Sequence, residues 1–157
     1  MSSSNSSARI VAEARQWLGT PYVHQASRKG VGCDCLGLVR GVWRAVIGPE
    51  PETPPPYSAS WTDVLDGERE SLLAAALRHL HPMWLAAEGA SGLPLVHPGQ
   101  VLLFRYRAHL PARHAAIATT PDTMIHAQEN IGVVEVPLGG WWRRHLVATF
   151  EFPEVED

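Results

Sequence analysis

Apolar residues recur at three- and four-residue intervals through the first half of the chain, and in short runs between turn residues through the second. Ile10, Val11, Ala14, Trp17 and Leu18 share one helical face, which predicts a first helix capped by Ser7 and running to about Leu18, where Gly19 can stop it. Thr20 to Gly32, broken by Pro21, Gly30 and Gly32, reads as a loop. The clearest element follows: Asp34 is a good N-cap, and Leu38, Val39, Val42, Trp43, Val46 and Ile47 form one apolar face that ends at Gly48-Pro49. Five prolines between Pro49 and Pro56 make the stretch to Ser60 an irregular connection. A third helix, about Glu68 to Leu80, carries Leu72, Leu73, Ala76, Leu77 and Leu80.

After Pro98-Gly99 the pattern changes to strands over Gln100–Tyr106, His114–Thr119, Thr123–Gln128, Gly132–Val136 and Leu146–Phe152. Helices first and antiparallel strands second is the α+β arrangement. Neither a repeat nor a boundary interrupts it, so residues 1–157 read as one domain.

Apolar residues make up 45% of the chain and charged residues 18%, a globular balance. With a formal net charge of −3 and no basic run, nucleic acid is an unsupported partner. The longest apolar runs are too short for a membrane span. Met1 to Ser7 is serine-rich and lacks the basic and apolar regions of a secretory signal, which predicts cytoplasmic synthesis.

The two cysteines, Cys33 and Cys35, are separated by one residue, a spacing unsuited to a relaxed disulfide. Cys35 falls in the first turn of the predicted second helix, where unpaired backbone amides favour the reactive thiolate. The competing reading is a buried, inert core cysteine. Cys33 precedes the cap and reads as structural. None of the eight histidines has the paired spacing of a zinc module, so no metal is expected. A cysteine nucleophile needs an imidazole base and a third group to orient it. His114 opens one strand and His126 lies in the next, joined by a turn at Thr120-Pro121-Asp122. A hairpin symmetric about residue 120 sets His114 directly opposite His126 on one face, although taken singly each histidine also reads as an ordinary core or surface residue.

Taken in order, Leu18-Gly19-Thr20-Pro21-Tyr22-Val23, Asp34-Cys35-Leu36-Gly37-Leu38-Val39, Pro98-Gly99-Gln100-Val101-Leu102-Leu103-Phe104, His114-Ala115-Ala116-Ile117 and Ile125-His126-Ala127 resemble segments of the NlpC family of papain-like cell-wall cysteine peptidases. The resemblance covers most of the chain. It implies a papain-like α+β fold, with N-terminal helices packed on an antiparallel sheet, and hydrolysis of an amide in the peptidoglycan stem peptide, commonly after D-glutamate. Matched residue by residue, it implies Cys35 as nucleophile, His114 as base and His126 as the orienting third member. It further implies Tyr22 and Asp34 as substrate-binding residues, and no cofactor.

The chain departs from the family at Leu36, where members often carry a serine that helps to recognise the stem peptide, at Gln100 in place of aspartate, and at His24-Gln25-Ala26 in place of Trp-Gly-Gly. The run Asp-Cys-Leu-Gly-Leu-Val is similar to the branch found in phage tails and gene-transfer particles. That likeness implies tail or hub proteins as partners and a carrier that needs no signal sequence. Two alternatives stay open on the sequence: a tail or hub subunit with little activity, and a papain-like acyltransferase or thioesterase.

Overall fold

Strands β4 (Val101–Phe104) and β5 (His114–Thr120) are buried at nearly every position because both faces of their sheet are covered. The computed structural model describes residues 3–54, 71–86, 94–108 and 110–154. In chain order the remaining elements are α1 (Ser3–Gln16), β1 (Ser27–Arg28), β2 (Gly32–Cys33), α2 (Cys35–Val46), α3 (Ser71–His79), β3 (His81–Leu85), β6 (Thr123–Gln128), β7 (Gly132–Pro137), α4 (Gly140–Arg144) and β8 (Leu146–Glu151). Six strands form one antiparallel sheet in the order β3-β8-β4-β5-β6-β7, and β1 pairs with β2 separately. This is the expected α+β architecture.

Strand alternation sorts the core into two layers. On one face Val101, Leu103, Ala115, Ile117, Ile125 and Phe150 pack with Trp17, Leu38 and Val42 of the helical side. On the other, Leu102, Phe104, Ala116, Ala118 and Met124 pack with Val96, Leu138 and Leu146, beside a half-buried Trp142 from α4. Among the described residues no helix is long and apolar enough to cross a membrane.

Several boundaries differ from expectation, each for a local reason. Helix α1 begins at Ser3, so Ser7 lies inside it rather than capping it, and the backbone of Ser7 abuts the Pro98–Gly99 turn. At its other end Trp17 and Leu18 donate to carbonyls three residues back, at 3.0 and 3.3 Å. That tightened turn rotates Leu18 out of the apolar face, leaving it 42% exposed. In α3 the buried residues are Leu72 and Ala76, while Leu77 faces solvent; residues 55–70, including the expected start of this helix, lie outside the described residues. Strand β3 was not expected because Pro82 interrupts it, yet it lies at the sheet edge and is bulged between Pro82 and Trp84, where a missing N–H is tolerated. The loop expected from Thr20 to Gly32 contains the short β1–β2 ribbon.

Helix α2 is capped as expected. Asp34 is extended (φ −103°, ψ −170°), and the Gly37 N–H donates to its Oδ1 at 2.7 Å. Gly37 is also where the Ala26 backbone crosses the helix: a Cβ there would lie 1.9 Å from the Ala26 carbonyl oxygen. The Ser27 hydroxyl donates to the Gly37 carbonyl at 2.6 Å and seals the crossing. Gly37→Ala should therefore cost ~3 kcal/mol in chemical denaturation, the upper end of overpacking effects. Gly139→Ala, where a Cβ meets nothing within 4 Å, should change stability by less than about 0.5 kcal/mol. Equal effects from the two would show that the backbone crossing does not fix this corner.

Candidate active site

The N-terminus of α2 arrives at the start of β5, and there the nucleophile candidate meets the histidines. Cys35 is 3% exposed, and its Sγ lies 4.0 Å from the Arg113 carbonyl, within the influence of the Leu36 and Ala115 amides. Asp34 accepts from the Gly37 and Gln25 amides, which leaves the Cys35 N–H with no acceptor among the described residues. Asp34 itself is 1% exposed and is not among the residues that line the cleft. Its carboxylate holds the loop to the helix start.

His114 and His126 lie on one face of the sheet, and His114 Nε2 is 2.8 Å from His126 Nδ1 with the rings nearly perpendicular. The register differs from the symmetric hairpin. Ile117 pairs with Ile125 and Ala118 with Met124, so continuing the ladder sets His126 opposite residue 116. Thr120 pairs with Thr123, so the turn is centred between Pro121 and Asp122, and the bulge between Ala118 and Thr120 leaves the ladder centred on residue 121 rather than 120. The histidines are diagonal neighbours, and the shift of two positions preserves the shared face.

Two further rings complete the surroundings of His114: Tyr106 and Trp142 lie near-parallel to it, with centroids at 6.0 and 5.5 Å. Burial, then the neighbouring His126 and Arg113, drive the His114 pKa down to about 3, and burial drives His126 down to about 4. Both imidazoles are neutral at pH 7. Burial and the adjacent Asp34 push the Cys35 thiol up to about 12, outweighing the backbone amides. The resting pair is thus thiol and imidazole, in contrast to the thiolate that the helix terminus alone favours. No hydrogen bond joins Sγ to the His114 ring. The sulfur lies against the main chain flanking His114, and direct transfer needs a small approach of the two side chains.

With the bonding proton on His114 Nε2, donated to His126 Nδ1, the free lone pair of His114 is on Nδ1, the tautomer a base requires. Cys35, His114, His126 and Tyr22 line one cleft of about 510 Å³, a volume suited to a small ligand or a peptide segment. Tyr22 is held there by a bridge to Cys33. Cys33 is fully buried, is equally pushed up to about 12 by burial and Asp34, and does not line the cleft. Leu36 points into a separate apolar pocket with Val39, Leu72 and Val101.

The cleft also takes Tyr106, Arg113, Glu129, Trp141 and Trp142, which the sequence reading did not single out. Two signals were present: a cation directly before His114, and a Trp-Trp pair in the short Gly139–His145 link between strands. Among the described residues no group of three or more His, Cys, Asp or Glu side chains is placed to hold a metal ion.

No protein-family model matches the sequence, and no curated protein does. Solved structures do resemble the fold. The NlpC/p60 domain of peptidoglycan hydrolase SagA superposes with a TM-score of 0.57 at 22% identity, over 93% of this chain and 98% of that one. An NlpC/P60 family protein from Bacillus cereus gives 0.60 at 16%, over 94% of this chain and 40% of that one. NlpC2 from Trichomonas vaginalis gives 0.60 at 16%, over 94% and 46%. The chain spans nearly all of the first domain and less than half of the other two proteins. It has the papain-like fold of NlpC/p60 domains.

Proposed function

We propose that this chain is a cysteine peptidase or amidase that hydrolyses an amide of the peptidoglycan stem peptide. The observation that carries this reading is the His114–His126 bond of 2.8 Å in the cleft that holds Cys35 at a helix N-terminus. Cys35 Sγ attacks the carbonyl carbon as its proton passes to His114 Nδ1, and the Cys35 N–H, free of other acceptors, stabilises the oxyanion. The imidazolium formed on His114 donates through Nε2 to His126. Collapse breaks the C–N bond, the leaving amine takes the proton from His114, and water then hydrolyses the thioester. Because thiol and imidazole start neutral, proton transfer accompanies attack. Tyr22 contacts substrate beside the sulfur.

The bond after D-glutamate is the proposed cleavage position, and a phage-like tail is the proposed carrier, made in the cytoplasm and assembled with tail or hub proteins. Both rest on the resemblance of the segments around Cys35, His114 and His126. Incubation with purified peptidoglycan, followed by mass analysis of soluble fragments, tests the activity. Wild type and Cys33→Ala should release fragments with a new stem-peptide terminus, and Cys35→Ala should release none. Equal release by Cys35→Ala would remove Cys35 as nucleophile.

A further inference from the structure

Arg113 is the arginine that lines the cleft holding Cys35, His114 and His126. Arg15, Arg40, Arg44, Arg78 and Arg143 each hold a carboxylate, of Glu135, Glu50, Glu50, Glu52 and Asp122 respectively. The Arg113 guanidinium forms no ion pair among the described residues and lies over the face of Tyr106, 5.2 Å from the ring centroid. Its main chain is fixed at both ends of the site, the N–H donating to the Phe104 carbonyl at 3.0 Å and the carbonyl facing the Cys35 sulfur at 4.0 Å. A guanidinium set over an aromatic face and engaged in no ion pair keeps N–H groups available to fork onto a carboxylate. Among the described residues lining the cleft, Arg113 is the sole lysine or arginine.

We propose that Arg113 selects acyl donors that carry a free carboxylate close to the scissile carbonyl. This deepens the hydrolase reading and rests on Cys35 being its nucleophile. Leu36 faces the apolar pocket, so the residue after the nucleophile takes no part in this cleft, and recognition falls to the residue before the base. Glu129 in the same wall offsets the cation, which disfavours polyanions and leaves the directional fork to discriminate. The ligand class is therefore a single carboxylate.

The test uses two thiol reagents that differ only in that charge. Iodoacetate and iodoacetamide both form a C–S bond, expel iodide and release the thiol proton. Rates at Cys35, located by mass mapping and normalised to each reagent's rate with free cysteine, give a selectivity ratio. Wild type should favour iodoacetate by about tenfold or more, the size of a charge-assisted hydrogen bond. Arg113→Gln should bring the ratio close to one, and Arg113→Lys, which keeps the charge but loses the fork, should fall between them, with thermal unfolding confirming that each variant is folded. A wild-type ratio near one, a ratio unaltered in folded Arg113→Gln, or no label at Cys35 would overturn the proposal. Peptidoglycan digestion runs alongside. Selective labelling without released fragments keeps the carboxylate site and removes the hydrolase reading, and fragments released with an unselective thiol do the reverse.

Discussion

His114→Ala should lower turnover by about a hundredfold to ten-thousandfold, the range for losing a positioned proton carrier, while Cys35→Ala should abolish it. The loss at His114 should lie at the upper end. The thiol is held protonated by burial and Asp34, so without a base almost no nucleophile exists at pH 7. His126 acts one step removed. It touches only Nε2 of His114, the nitrogen turned away from the reacting proton. Removing it deprives the developing imidazolium of one charge-assisted acceptor, worth about tenfold to a hundredfold. His126→Asn can still pair with Nε2 and should keep appreciable activity, with His126→Ala falling further. Turnover measured beside thermal unfolding separates this order from a packing role, in which activity simply follows stability. A folded His126→Ala with full activity would remove it from the site.

The elements that could be read from sequence were those whose periodicity is local. Asp34 and the Leu38, Val39, Val42, Val46 face gave α2 almost to the residue, because capping and amphipathicity both act within a few turns. Strands β5 and β6 were legible for the same reason. What escaped depended on tertiary contacts: β3 exists because β8 offers it an edge, and α4 because Trp142 closes the second face of the sheet. The site divides in the same way. That Cys35, His114 and His126 meet in one cleft was recoverable from helix position and hairpin parity, although the register was off by two positions. Arg113 and Tyr106 were not, because their stacking joins the start of β5 to the end of β4 and leaves no periodic trace. Asp34 was legible as a helix cap, whereas its hold on the Gln25 amide depends on how the loop folds back and leaves no trace in the sequence.

Acidification from pH 7.5 to pH 5.0 should destabilise the fold by about 4 kcal/mol, through two histidines worth ~1.4 kcal/mol per pH unit each below the unfolded-state pKa of about 6.5. His114 and His126 are 8% and 3% exposed, and burial lowers their folded pKa values to about 3 and about 4. Between those values and 6.5 the unfolded chain binds two protons that the folded chain refuses, so stability rises with pH across this window and is lost as pH falls through it. Above pH 7 these groups make no contribution. The Glu50 and Glu135 carboxyls, held below their ordinary value beside Arg40, Arg44 and Arg15, exert their effect chiefly at lower pH and add little to the difference. A loss of this size is a large part of the 5–15 kcal/mol that holds a typical domain together. Urea denaturation at the two pH values, on wild type and on His114→Gln/His126→Gln, gives the comparison. The double variant should lose less than about 1 kcal/mol, since glutamine does not titrate. An equal loss in both proteins would mean that the pair takes up protons in the folded state. In that case His114 would have lost the neutral form it needs at pH 5, and the acid limb of the activity profile would lie near pH 6.5 rather than well below it.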